Sequence, residues 1–199
     1  VVGKAVPDLL LDQVADHPGA LGVQDVEGHV GRDVRELVVR RRLQRQQADL
    51  RAMQAAVAAR VAGGARRPRV FFEEWDTPHI SAIRWVSELL AIAGGDDCFP
   101  ELARESLGKN RIIADGAEIV LRNPDIILGS WCGKKFRAEN VAARDGWGAV
   151  NAVRHAQLFE IKSPDILQPG PAALTDGVAK MHAIVLRWMD ADQAGALSA

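Results

Sequence analysis

The stretch Asp125-Ile-Ile-Leu-Gly-Ser-Trp-Cys-Gly-Lys-Lys135 decides how this chain of 199 residues is read. Ile126, Ile127 and Leu128 form an unbroken apolar run, the pattern of a short parallel strand covered on both faces. Asn123-Pro124 ahead of it cannot continue a helix, and Gly129 ends it. In an open α/β sheet, ligands gather in the crevice beyond the carboxyl ends of the strands. That rule places Ser130, Trp131, Cys132 and Gly133 where binding is expected.

The remaining sequence supplies matching strands. Val70-Phe71-Phe72 is one, followed by the turn Glu73-Glu74-Trp75-Asp76-Thr77-Pro78 and a helix with Ile80, Ile83, Val86, Leu89 and Leu90, which Gly94-Gly95 caps. A short helix from Glu118 to Arg122 leads into the strand at Asp125. A helix over residues 138–144, the turn Gly146-Trp147-Gly148 and a third strand over Gln157–Ile161 follow. A last helix after Pro169-Gly170-Pro171 carries Leu174, Val178, Met181, Val185 and Trp188 at helical spacing, which marks them as core. This alternation predicts the α/β class: a three-layer lobe over residues 67–199, with a mostly parallel sheet and right-handed crossovers.

Upstream, Leu43, Leu50, Met53, Val57 and Val61 recur at helical spacing between Glu36 and Ala62, which predicts one long amphipathic helix ended by Gly63-Gly64. With its basic exit Arg66, it forms a unit over residues 36–66. Residues 1–35 hold no sustained period of 2 or 3.6 and are read as irregular.

Composition sets the outer limits. With 48% hydrophobic and 26% charged residues the chain is globular, and a net charge of -1 gives no ground for a nucleic-acid partner. No apolar run approaches the roughly 18 residues of a membrane span, so no direct membrane insertion is expected. Val1 to Ala20 lacks the basic start and apolar core of a signal peptide, which leaves a cytoplasmic location open. Two cysteines, Cys98 and Cys132, make neither a disulfide framework nor a metal site.

Three strand-to-helix junctions converge on one edge of such a sheet: Trp75 to His79, Ser130 to Phe136, and Ser163 to Pro171. Trp75 and Trp131 are expected as large rings in loops on which a broad flat ligand can stack. Lys134 and Lys135 suit carboxylate or phosphate groups. Cys132 is read as a buried, inert thiol, since no His or acid is tied to it by a local signature. Glu73, Glu74, Asp76 and His79 are not expected to hold a metal, because alternate residues of an extended run point apart.

With these residues in view, the chain from Arg69 to Met189 resembles the cobalamin-binding substrate-binding proteins of ABC transporters. The residues carrying the resemblance are Val70-Phe-Phe-Glu-Glu-Trp-Asp76, Arg84-Trp-Val-Ser-Glu-Leu-Leu90, Asn123 to Lys135, and Glu160-Ile-Lys-Ser-Pro-Asp-Ile-Leu-Gln-Pro-Gly-Pro-Ala172. The resemblance implies two α/β lobes joined by one rigid bridging helix, a corrinoid held between them, and permease subunits that receive it. Residues 36–62 then correspond to the bridging helix and residues 69–199 to the carboxyl-terminal lobe; the amino-terminal lobe has no counterpart in residues 1–35. It further implies a non-enzymatic protein in the periplasm or outside the cell, with cobalamin as its ligand and no cofactor. Trp75, Pro78, Ser130, Trp131, Cys132, Gly133, Lys134, Lys135, Gln168 and Pro169 are the expected ligand contacts. Where the family places a docking glutamate this chain has Ala117, and the neighbouring Glu118 is the candidate for permease docking. A ferric siderophore or haem is the alternative ligand on the same fold, and a small Cys132-dependent hydrolase or transferase the alternative from another class.

Overall fold

The computed structural model describes the backbone of residues 23–195 and the side chains of residues 34–195; most of the segment read as irregular, residues 1–22, lies outside the described residues. The chain forms two units, Val1–Arg42 and Leu43–Ala199. What is described of the first is helical. Helix α1 spans Val23–Ala62 and so begins at Val23 rather than at Glu36. Val23, Val26, Val30 and Val34 recur at spacings of three and four, a helical period that Gly28 and Gly31 weaken without breaking.

Within the second unit α1 ends as its sequence predicts. Gly64 takes the left-handed conformation at φ 96°, and the Ala65 N–H returns to the Arg60 carbonyl at 3.0 Å. Val57 is buried and Leu50 and Met53 pack on the core, whereas Leu43 and Val61 remain exposed.

The sheet of this unit contains β1 (Arg69–Asp76), β2 (His79–Ser81), β3 (Asp96–Asp97), β4 (Ile112–Ile113), β5 (Ile126–Gly129) and β6 (Leu158–Glu160). Its order is β4-β2-β1-β5-β6, with β3 also paired to β1. The strands predicted from apolar runs are the parallel ones: Val70 lies opposite Ile126, and Ile127 opposite Leu158. β2 and β4 extend the sheet antiparallel beyond β1. Residues 79–81 therefore belong to a strand, where a helix was expected. The edge of β1 has backbone groups to satisfy, and the hairpin satisfies them before α2 begins at Arg84.

Six further helices cover the sheet: α2 (Arg84–Ala93), α3 (Gly116–Arg122), α4 (Ala138–Ala142), α5 (Asn151–Arg154), α6 (Ser163–Ile166) and α7 (Val178–Gln193). Val70, Phe72, Ile126 and Leu128 face one core with Val86 and Leu90 of α2 and Met181, Val185 and Met189 of α7. Phe71 and Ile127 face the other, with Ile119 of α3, Val141 of α4 and Ala152 of α5. Both faces are covered, which is why these strands read as unbroken apolar runs. Burying each such side chain contributes roughly 1.5–3 kcal/mol.

The last helix departs from its predicted stripe at one point. A π turn over Ala173–Gly177 precedes α7, and it buries Ala173 and Gly177 while Leu174 is left 43% exposed. A Cβ on Gly177 would lie 2.3 Å from the Asp165 carbonyl oxygen, so only glycine lets this turn approach α6 so closely.

At the amino end of β5, Asp125 is 1% exposed and joins four segments. It accepts from Arg66 Nη1 at 2.7 Å, the Arg69 N–H at 2.9 Å, Arg69 Nε at 3.3 Å and Asn151 Nδ2 at 3.1 Å. Burial works to raise its pKa, but the hydrogen bonds from Arg66, Arg69 and Asn151 outweigh it and hold the carboxyl below the usual carboxylate range. A depressed folded-state pKa contributes stability that is present above about pH 4 and lost as pH falls through the folded value. Asp125→Asn is expected to lower stability to urea by about 2 kcal/mol at pH 7, with the deficit shrinking below about pH 4. An unchanged urea midpoint at pH 7 would show that the Asp125 cluster does not hold these segments together.

Candidate functional site

Parallel pairing brings the carboxyl ends of β1, β5 and β6 to one edge of the sheet. The Ser130 N–H bonds the Glu73 carbonyl at 2.9 Å and the Ile161 N–H bonds the Gly129 carbonyl at 3.0 Å, so the loops leave the sheet side by side. On this crest Pro78, Cys132, Gly133, Lys134, Lys135, Gln168 and Pro169 are exposed. Trp75 is half-buried, with its indole N–H bonded to the Thr77 carbonyl at 3.0 Å.

Two of the expected contacts are not on the surface. Ser130 is fully buried, and Trp131 is 4% exposed. The Trp131 ring packs on Phe136 at 5.0 Å between centroids, and its N–H reaches Glu73 Oε2 at 3.1 Å. A buried acceptor for the indole N–H removes the reason for that end to stay wet, so Trp131 is core and not a stacking platform. Gly129 makes this possible, since a Cβ there would lie 1.9 Å from the Phe136 ring. The cysteine expectation is corrected as well: Cys132 is exposed. Cys98 is the buried thiol, and burial followed by the nearby Asp97 charge pushes its pKa up to about 12. Lys134 is spoken for in part, with its ammonium 2.5 Å from Asp76 Oδ2 and 5.2 Å from the Trp131 ring centroid.

Beside the crest, between the β1–β2 turn and α3, opens a depression of about 910 Å³. Its apolar rim includes Pro78, Ile112, Ala117 and Leu121, and its floor includes His79, Arg144 and Trp147. Leu121 is 82% exposed and Ile112 38%. The floor is fixed by Glu73, which is 0% exposed. Arg144 Nη1 and Nη2 grip the two oxygens of Glu73 at 2.8 and 3.0 Å, and His79 Nδ1 lies 2.9 Å from Oε1. Arg144 also lies over Trp147 at 4.4 Å, and the His79 ring is 5.6 Å from the Trp147 ring. Glu74 points the other way, to Arg111, as an extended backbone requires. Among the described residues no group of three or more His, Cys, Asp and Glu side chains is arranged to hold a metal.

The depression thus unites Pro78 with residues the sequence reading passed over: Arg144, Trp147, Ile112 and Leu121. The signal available was Trp147 between two glycines, which reads as a turn. Gln168 and Pro169 stand apart from it. Pro169 lines a separate apolar groove of about 410 Å³ with Trp85, Leu89, Ala173 and Leu174. Glu118 sits exposed in the first turn of α3 and pairs with Arg122 at 2.8 Å.

Comparison with known proteins identifies the architecture. The chain aligns over 73% of its length with the periplasmic vitamin B12 binding protein BtuF of Vibrio cholerae, at 18% identity, TM-score 0.52 and 51% of that protein's length. It aligns over 74% with the periplasmic heme-binding protein BhuT, at 24% identity, TM-score 0.57 and 55% of that chain. Staphylococcus aureus IsdE complexed with heme aligns at 17% identity and TM-score 0.50, over 71% of this chain and 56% of its own. The chain therefore spans about half the length of these relatives. No curated protein sequence matches it. No helix among the described residues is long and apolar enough to cross a membrane. The sequence profile described as "Periplasmic binding protein" matches residues 32–164, and with the sheet and helices of that fold in place, the chain belongs to the periplasmic binding protein family.

Proposed function

We propose that this chain is the substrate-capturing component of an ABC importer, or the carboxyl-terminal half of one, and that its ligand is a corrinoid of the cobalamin class. The observation that carries this reading is the depression of about 910 Å³ beside the strand-end crest, apolar at its rim and polar at its floor. Such a surface suits a large ring system with polar side arms. Pro78, Ile112 and Leu121 take the ring; His79, Trp147 and Arg144 lie beneath it. Trp75, Gly133 and Lys135 on the crest are available to the ligand's periphery. Capture is non-covalent, and the chain needs no cofactor of its own. Its partners are the ligand and the permease subunits, with exposed Glu118 as the docking side chain, and its place is the periplasm or the cell exterior.

Haem in the same depression is the second reading, favoured by the likeness to the heme-binding protein BhuT and to IsdE complexed with heme. The chain has no tyrosine, and among the described residues His79 is the sole side chain lining the depression of a kind that ligates haem iron. An enzyme built on Cys132 has no geometric support: among the described residues no His or carboxylate hydrogen-bonds its sulfur.

Equilibrium dialysis against cyanocobalamin tests the first reading. Because half of a two-lobed protein encloses half of a ligand, a Kd in the micromolar range or weaker is expected. Leu121→Gln, at a site too exposed to affect folding, is expected to weaken binding about tenfold, while Leu107→Gln, exposed and outside the depression, leaves it unchanged. No binding, or equal binding by Leu121→Gln, would exclude the depression as the corrinoid site. Thiol labelling tests the Cys assignment. One thiol, Cys132, is expected to react in the native protein and Cys98 only after unfolding; two fast thiols would contradict the burial of Cys98.

A further inference from the structure

In the floor of the depression two ring nitrogens front the same small space. Glu73 accepts every hydrogen bond it makes: from Arg144 Nη1 and Nη2, from Trp131 Nε1, and at Oε1 from His79 Nδ1 at 2.9 Å. Nδ1 therefore carries the ring proton, and in the neutral ring Nε2 is an acceptor. Trp147 Nε1 is a donor and nothing else. A Cβ built on Gly116 would lie 3.5 Å from His79 Nε2 and 3.7 Å from Trp147 Nε1, so both nitrogens look onto space that Gly116 leaves open.

One acceptor beside one donor is the complement of a primary carboxamide, which offers an N–H and a carbonyl oxygen. It is a poor match for a carboxylate, whose two oxygens both accept and of which one would face the Nε2 lone pair. We propose that His79 and Trp147 read a primary carboxamide arm of the ligand, His79 Nε2 accepting from the amide N–H and Trp147 Nε1 donating to the carbonyl. This rests on the depression being the ligand site and deepens it by naming the group recognised. Corrinoids carry primary carboxamide arms around the ring, while the arms of haem are carboxylates. The Glu73 clamp is what makes the pair selective, because it fixes which His79 nitrogen is left to accept.

The test is dialysis of the full chain against cyanocobalamin and its separated monocarboxylate isomers, in each of which one carboxamide is replaced by a carboxylate. At least one isomer is expected to bind about tenfold more weakly than the parent, the loss of one complementary polar contact. Gly116→Ala places a methyl at ordinary contact distance from both nitrogens, so the protein folds as before while the arm is excluded. That variant, and His79→Phe, are expected to bind the parent about as weakly as the disfavoured isomer and to lose the preference. Isomers that all bind like the parent, or a Gly116→Ala protein that keeps the full preference, overturn the assignment while leaving the depression as a corrinoid site. Failure of every ligand to bind overturns both together.

Discussion

A carboxylate with no exposed surface, Glu73, sits on the central strand where its parallel pairing with β5 ends, and the candidate site is assembled around it. Its four donors come from three separate places: His79 on β2, Trp131 after β5, and both guanidinium nitrogens of Arg144 before the Trp147 turn. Taking an ion pair out of water is costly, and the cost is met only when geometry is good and every remaining lone pair is satisfied. Here the guanidinium fork is bidentate and both oxygens accept twice. Losing any one donor would leave a buried charge short of a partner, so the position of each loop is tied to that of the others.

Asp125 does the equivalent at the opposite end of the parallel core, gathering Arg66, Arg69 and Asn151 at the entrance to β5. The two carboxylates differ in setting. Arg66 and Arg69 are about half exposed, so that cluster is partly screened by solvent, whereas Arg144 is mostly covered. Between the clusters lie the apolar runs Val70 to Phe72 and Ile126 to Leu128, which supply the area term. Apolar burial fixes that a sheet forms, and the polar clusters fix how its ends are dressed.

That division explains what the sequence discloses. The parallel strands are legible because covering both faces leaves an unbroken apolar signature. β2, β3 and β4 are not, because strands as short as Ile112–Ile113 carry no period and exist by pairing with an edge laid down elsewhere. The stripe of the last helix is legible from Val178 onward and fails at Leu174, where close approach at Gly177 imposes a π turn. In the site, the crest was legible from topology, but the burial of Trp131 in the core was not. That depends on where a buried acceptor lies, and Glu73 is 58 residues from Trp131.

The depression also constrains what can cover it. Leu121 and Ile112 are exposed apolar side chains gathered at one mouth, and a surface of that kind favours an apolar occupant. Beneath them, His79 Nε2 and Trp147 Nε1 lose their access to water once anything closes the rim. A wholly apolar occupant would strand both, at about 1–3 kcal/mol for each polar group left unpaired, which offsets most of what a few rim contacts contribute. A wholly polar occupant forgoes the rim. On the proposed reading the ligand is apolar across its body and polar at an arm, and the pattern of donor and acceptor at the floor decides which arm.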